Sequence, residues 1–406
     1  MEPHAARGTR PGEGTTVLVL WVGHRPGPWA CRSLERQGYS VIRAHPEGAP
    51  GGRTPACMSP LRYPAPTEDR EGFLRWVTET CRRERPEVVL PFDEDIVRLL
   101  AESPPDLAGA ALAGPDADQY LALCDKGRLA ETAAQAGVAH PHTVEVAEHG
   151  PSGDLLPAPC IVKPRISGSS GLWEKPVLAR TDAERDDAVA GLLAAGIPAL
   201  VQERLTGPRW VGHCVRGREQ FDFLGFLVEA DFPRSAGPAS VMHTARVPSE
   251  VVEGTRRLVD LVGYRGPVSL SFIEQDGRFV VHDVNLRLGA TVEASIRSGF
   301  HIPGRAVEAA LGRPTWPLRA LAPTRYVRFD GELRELIRAL RHRGDESPAR
   351  VARWIGRGLV SRRTVLDPSP FDPSWAPSLV VKRVRRAAAK ASLSVRRASQ
   401  PARRDA

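Results

Sequence analysis

The chain has 406 residues, 42% of them hydrophobic and 26% charged, which is enough for two or three domains with sizeable cores and excludes disorder of the whole. Its formal charge of +8 is concentrated at the end. Residues 377–406 hold nine Lys/Arg against one Asp, so the body is near neutral and, with no reader motif in it, no nucleic-acid partner is expected. The six cysteines, at 31, 57, 81, 124, 160 and 214, form no CxxC or CxH pair, so neither a zinc site nor a disulfide framework is indicated. No apolar run reaches the roughly 20 residues of a membrane helix, and the N-terminal "MEPHAARGTRPGEG" has no signal-peptide core. A cytoplasmic protein with reduced thiols is expected.

After a flexible start (1–14), "TTVLVLWVG" is a nearly continuous apolar run, the pattern of a buried parallel strand. "GPWACRSLERQGYSVIRA" then predicts a helix ended by Gly38 and a second strand. "REGFLRWVTETCRRERPEVVLPFDEDIVRLLAES" repeats the order, so 15–117 reads as an open α/β domain. The turn "WVGHRPGPW" lacks GxGxxG spacing and predicts no dinucleotide site. Asp93, Glu94 and Asp95 follow a strand end, where such sheets bind ligands, but they read first as the cap of the next helix.

From Asp118, one or two helices run to Gly137, with Pro141 barring their continuation. His140 and His142 flank that proline and read as structural. "APCIVKPRISGSSGLWEKPVLAR" is a strand ending at Lys163, a Ser/Gly loop and a further strand. A helix and the strand "PALVQERL" close the unit at 204. Short strands dominate from 205 to 315, with a β-hairpin turning at Gln275, Asp276 and Gly277. A helical extension (316–376) and the basic tail (377–406) follow. The tail reads as disordered, with contact to acidic lipid or an acidic partner as the other possibility.

Chemistry concentrates in a few places. In "VVHDVNLRLG", period-two alternation puts Asp283, Asn285 and Arg287 on one face and Val284, Leu286 and Leu288 on the other. The acid and amide offer hard oxygens for Mg²⁺, and the guanidinium can hold a phosphate or carboxylate; the other reading is the solvated face of an edge strand. Lys163 precedes Ser167, Gly168, Ser169, Ser170 and Gly171, small residues whose amides can fold over a polyphosphate, or else form a plain turn. Asp125 and Lys126 stand at a predicted helix start, a cap or a second cation.

Taken in order, "CDKGRL", "CIVKPRISGSSG", "VQERLTG" and "HDVNLRLG" resemble the ATP-grasp superfamily, in its carbamoyl-phosphate-synthase-like, carboxylate–amine ligase type. The resemblance spans about 17–312. It implies an α/β and α+β architecture in which a pre-ATP-grasp domain precedes two lobes, 118–204 and 205–315, that sandwich ATP. It also implies activation of a small carboxylate as an acyl phosphate, with ADP released and an amine as the second substrate. Carried over, Lys126 and Lys163 would bind the α and β phosphates, and residues 167–171 would cover the γ phosphate. Gln202, Glu203, Arg204 and Leu205 would receive the adenine. Asp283 and Asn285 would ligate Mg²⁺, or Mn²⁺, and Arg287 would steady the transferred phosphoryl group.

Departures are visible. Asp283 stands where Glu is usual, Ser271 where the hairpin usually adds an acid or Gln, and Glu274 is the nearby substitute ligand. Pro208, Arg209 and Trp210 replace the ribose acid, and Leu286 replaces a proline. Arg234, His243 and Arg246 lie where substrate-contacting segments are common and are candidates for holding a carboxylate or acyl phosphate; Arg297 is a further one. The alternatives kept open are an ATP-dependent small-molecule kinase and a non-catalytic ATP-binding protein. Self-association is left open.

Overall fold

The computed structural model describes residues 11–20, 26–48, 60–147, 150–151, 154–166, 176–231, 238–318, 321–341, 347–361 and 363–367. Within them the βα alternation yields β1 (Thr16–Leu20), α1 (Pro26–Arg36), β2 (Ser40–Pro46), β3 (Leu61–Tyr63), α2 (Arg70–Glu84), β4 (Val88–Pro91), α3 (Glu94–Glu102) and β5 (Ala111–Leu112). The strands are all parallel and ordered β3-β2-β1-β4-β5. Val17 and Val19 pack into one core and Leu18 and Leu20 into another, which is why β1 is apolar throughout. The strand order switches sides between β1 and β4, leaving a crevice beyond their carboxyl ends. α3 begins beside it, capped by Asp93, which accepts from the Asp95 amide at 3.0 Å.

Two helices follow, α4 (Ala117–Cys124) and α5 (Leu129–Gln135), broken at Asp125, Lys126 and Gly127. Then β6 (Thr143–Ala147), β7 (Gly150–Pro151), β8 (Cys160–Pro164), β9 (Val177–Ala179), α6 (Asp182–Ala194) and β10 (Ala199–Glu203) build an antiparallel sheet ordered β7-β6-β10-β8-β9. Cys160, Val162, Ala199 and Val201 share a core with Val189 and Leu192 of α6. Ile161, Lys163, Leu200 and Gln202 therefore take the opposite face.

The third sheet comprises β11 (Arg209–Arg216), β12 (Phe221–Asp231), β13 (Ala239–Ala245), β14 (Gly266–Gln275), β15 (Arg278–Asn285), β16 (Arg325–Arg328) and β17 (Thr364–Asp367), ordered β15-β14-β11-β12-β13-β16-β17. Its helices are α7 (Ser249–Leu261), α8 (Val292–Arg297), α9 (Ile302–Ala310), α10 (Phe329–Leu340) and α11 (Pro348–Val360). The span 316–376 is thus more than a helical extension, since it supplies β16 and β17. α4 and α5, grouped with the smaller lobe on sequence, pack on the larger sheet. Tyr120, Leu123, Leu129 and Ala133 share a core with Leu258, Leu270, Phe272, Val284 and Leu286. No described helix is long and apolar enough to cross a membrane.

The β14–β15 hairpin sets the polar row. Its loop is Asp276 and Gly277, both left-handed (φ 53° and 73°), as the twist of a two-residue hairpin loop requires. Further along, Val281 pairs with Phe272 but Asp283 with Ser271, so His282 is an extra residue in a bulge. Core-facing residues accordingly shift from Phe279 and Val281 to Val284 and Leu286. Without the bulge, strict alternation would carry Asp283 and Asn285 to the core side.

Candidate functional site

Lys163 leaves the face of the smaller sheet opposite α6 and reaches the larger sheet at the His282 carbonyl. Its Nζ donates to Gln202 Oε1 at 3.0 Å and to the His282 carbonyl at 3.2 Å. The side chain is buried; that burial, reinforced by the Lys126 charge and opposed by Asp283, pushes its pKa down to about 7. Gln202 is itself held, donating from Nε2 to Thr143 Oγ1 at 2.8 Å. Its side chain therefore orients Lys163 rather than offering itself to a base edge.

Lys126 arrives from the break between α4 and α5, and that break is pinned to the end of β8. The Lys126 amide donates to the Arg165 carbonyl at 3.1 Å, and Arg165 Nε donates to both Asp125 oxygens at 2.9 and 3.0 Å. Asp125 also accepts from the Gly127 amide at 2.8 Å. A Cβ on Gly127 would stand 3.0 Å from Arg165 Nε, so the approach favours glycine. Asp125 is thus a brace for the loop, ending α4 rather than starting a helix. Lys126 Nζ then lies 3.7 Å from Asp283 Oδ1.

The row on β15 is contiguous. Asn285 Nδ2 donates to Asp283 Oδ2 at 2.9 Å, and Arg287 Nη2 donates to Asn285 Oδ1 at 3.3 Å. Burial would raise the Asp283 pKa, but the Lys126 and Lys163 charges and the Asn285 hydrogen bond outweigh it and hold the carboxyl below its ordinary range. Burial likewise keeps His282 neutral, with its pKa pushed down to about 3. Arg287 Nε donates to Glu94 Oε2 at 2.6 Å, and Tyr120 donates to Glu94 Oε1 at 3.0 Å. Glu94 and Arg165, which sequence reasoning left out of the site, thus join it. Position at a sheet crevice was the one available signal for Glu94, and the capping explanation belongs to its neighbour Asp93.

Other expected residues do not gather here. Glu203 Oε1 accepts from the His142 amide at 2.9 Å, and its own amide donates to the His142 carbonyl. The amides of Arg204 and Leu205 have no partner among the described residues, so the backbone remains open to a base edge there. Glu274 shares the strand face of Leu270 and Phe272, opposite to Ser271 and Asp283, because side chains alternate. It is therefore not brought to the Asp283 row. Arg246 is exposed beyond β13 and lines a surface groove with Ser249, Val252 and Glu253. β13 stands four strands from β15, roughly 19 Å at ordinary strand spacing. On β13, His243 pairs with Glu229 at 2.7 Å. Arg297 pairs with Glu293 at 3.5 Å and lies over Trp29. Residues 167–171, Arg234 and the tail lie outside the described residues.

No family model matches the sequence, and no curated protein matches it. Solved structures do. An L-amino acid ligase from Bacillus licheniformis aligns with a TM-score of 0.60 at 17% identity, over 77% of this chain and 79% of that one. An N5-carboxyaminoimidazole ribonucleotide synthetase in its ADP complex gives 0.62 at 16% identity, over 81% and 86%. A biotin carboxylase from Campylobacter jejuni, in a β,γ-ATP complex, gives 0.57 at 13% identity, over 76% and 74%. At these identities the likeness is one of fold, and the fold is ATP-grasp, as the ordered motifs implied.

Proposed function

We propose that this ATP-grasp chain is an ATP-dependent, ADP-forming ligase that activates a small carboxylate as an acyl phosphate and joins it to an amine. The observation that carries the reading is the convergence of Lys126, Lys163, Asp283, Asn285 and Arg287 from three parts of the chain into one contiguous cluster. Phosphoryl transfer asks a protein for position and charge more than for a nucleophile, and this cluster offers both. Lys126 and Lys163 hold the nucleotide's phosphates. The open amides at Arg204 and Leu205 take the adenine edge. Arg287 steadies the phosphoryl group in transit.

Among the described residues no three His, Cys, Asp or Glu side chains converge to make a resident metal site. Asp283 and Asn285 nevertheless fit Mg²⁺, which is commonly held by one or two carboxylates together with phosphates and water. With its carboxylate kept ionised, Asp283 would be the charged ligand, with Asn285 offering an amide oxygen and Ser271, its cross-strand partner, a hydroxyl. MgATP, when bound, supplies the phosphoryl group and neutralises its charge; Mn²⁺ would use the same oxygens. A second reading, an ATP-binding protein without turnover, is favoured by Ser271, which leaves the hairpin one acid short at that position.

Incubation of purified protein with ATP, Mg²⁺ and pooled amino acids and carboxylates tests the choice. ADP and phosphate formed by the parent but not by Lys163→Ala or Asp283→Ala, with hydroxylamine trapping the activated acid, support the ligase. AMP and pyrophosphate refute its mechanism. An activated acid that is never passed to an amine identifies a kinase, and tight ATP binding without turnover favours the binding protein.

A further inference from the structure

We infer that Glu94, from the N-terminal α/β domain, is the positioning residue for Arg287, so that this domain helps to build the anion clamp. The inference rests on the proposed function and deepens it.

A guanidinium has five N–H donors in a rigid fork. On Arg287, Nε goes to Glu94 at 2.6 Å, one Nη1 hydrogen to the Leu288 carbonyl at 3.2 Å, and one Nη2 hydrogen to Asn285 Oδ1 at 3.3 Å. Among the described residues no partner takes the remaining hydrogen on each Nη, and the side chain is 17% exposed. Two donors on one planar group suit two oxygens of a carboxylate or phosphoryl group. Glu94 holds the guanidinium from the side and leaves those donors over.

Three features separate this from an ordinary ion pair between domains. First, Glu94 does not take the fork in bidentate fashion, because its second oxygen is occupied by Tyr120. Second, its side chain is not needed for capping, since Asp93 caps α3. Third, the residue opens α3 beside the crevice between β1 and β4, where open α/β sheets meet their ligands. A long, flexible arginine loses rotamer freedom when it binds an anion, and one already fixed by Glu94 loses less. Tyr120 fixes Glu94 in turn.

The opposite role predicts the opposite sign. If Glu94 only occupied Arg287 until an anion displaced it, removing the acid would tighten anion binding. The test is calorimetric titration of orthophosphate, the probe for the transferred group, into full-length protein preloaded with MgADP. Glu94→Ala is expected to weaken phosphate binding about tenfold or more, the usual size for losing an orienting partner. Glu94→Gln, which keeps an oxygen for Nε and cannot leave a cavity, should recover part of the loss, and Tyr120→Phe should show a smaller loss. MgADP affinity should fall less than phosphate affinity in all three.

Tighter or equal phosphate binding by Glu94→Ala and Glu94→Gln overturns the inference, as does parent protein that holds MgADP but takes up no phosphate. Parent protein that fails to hold MgADP overturns the proposed nucleotide site and the inference with it. The two failures are therefore distinguishable.

Discussion

Two regions of the larger sheet carry clustered charge, and they are built differently. At β15, Arg287 meets an acid 193 positions away and Lys163 meets a carbonyl 119 positions away. Around β13, His243 bonds Glu229, 14 positions away on the adjacent strand, and its side chain is 37% exposed. Arg325 joins Glu229 from the other neighbouring strand at 2.7 Å. The second cluster is what a solvated sheet surface makes from its own neighbours. The first exists only because packed cores hold distant segments together, and its charges are partly withdrawn from water. Buried charge is tolerated where it is paired and, at sites, where it meets a ligand.

The largest expected effect lies in the β15 region. Lys163→Ala should reduce ADP formation by about 100-fold or more, the scale of losing one preorganised charge stabiliser. Its melting temperature should not fall in parallel, because the substitution also removes a costly buried ammonium. Intact turnover would erase the distinction between the two regions.

Next comes pH. The folded Lys163 pKa of about 7 means that the unliganded lysine is charged below that pH and neutral above it. Phosphate binding requires the charged form, so binding above pH 7 takes up a proton. Nucleotide affinity should fall by up to about tenfold per pH unit there, and binding heats measured in two buffers should reveal the uptake. Lys163→Met should show no such linkage.

Ser271→Glu sharpens the comparison by adding the missing acid opposite Asp283. Like charges across a ladder destabilise, so the variant should melt a few degrees lower without Mg²⁺. Added Mg²⁺ should restore it more than it stabilises the parent. The smallest effect is expected at β13: Arg246→Ala should leave turnover and nucleotide affinity unchanged in the same product assay. A large loss there would show that the surface cluster belongs to the site after all.

The βα alternation of the first domain, the hairpin at Asp276 and Gly277, and the Lys126, Lys163, Asp283, Asn285, Arg287 series were legible because each depends on short-range pattern. Periodicity reports which face a residue takes, and glycine reports where the chain must turn left-handed. Gln202 and Glu203 were expected at the adenine, but the Gln202 side chain is taken up by Lys163 and Thr143 and that of Glu203 by the His142 amide, partners that no local pattern announces. Glu274 and Arg246 failed to reach the site for geometric reasons, one by strand parity and the other by four strand spacings.

By itself, the sequence determined the order of elements, the apolar faces and the chemical types available to the β15 cluster, because these follow from local backbone preference and side-chain period. Tertiary structure alone decided that a bulge at His282 turns Asp283 and Asn285 outward, that Asp125 and Arg165 brace Lys126, and that Glu94 holds Arg287. Those outcomes depend on which distant segments pack together. A bulge changes register without changing composition, and a charge finds its partner only after the cores have closed the loops between them.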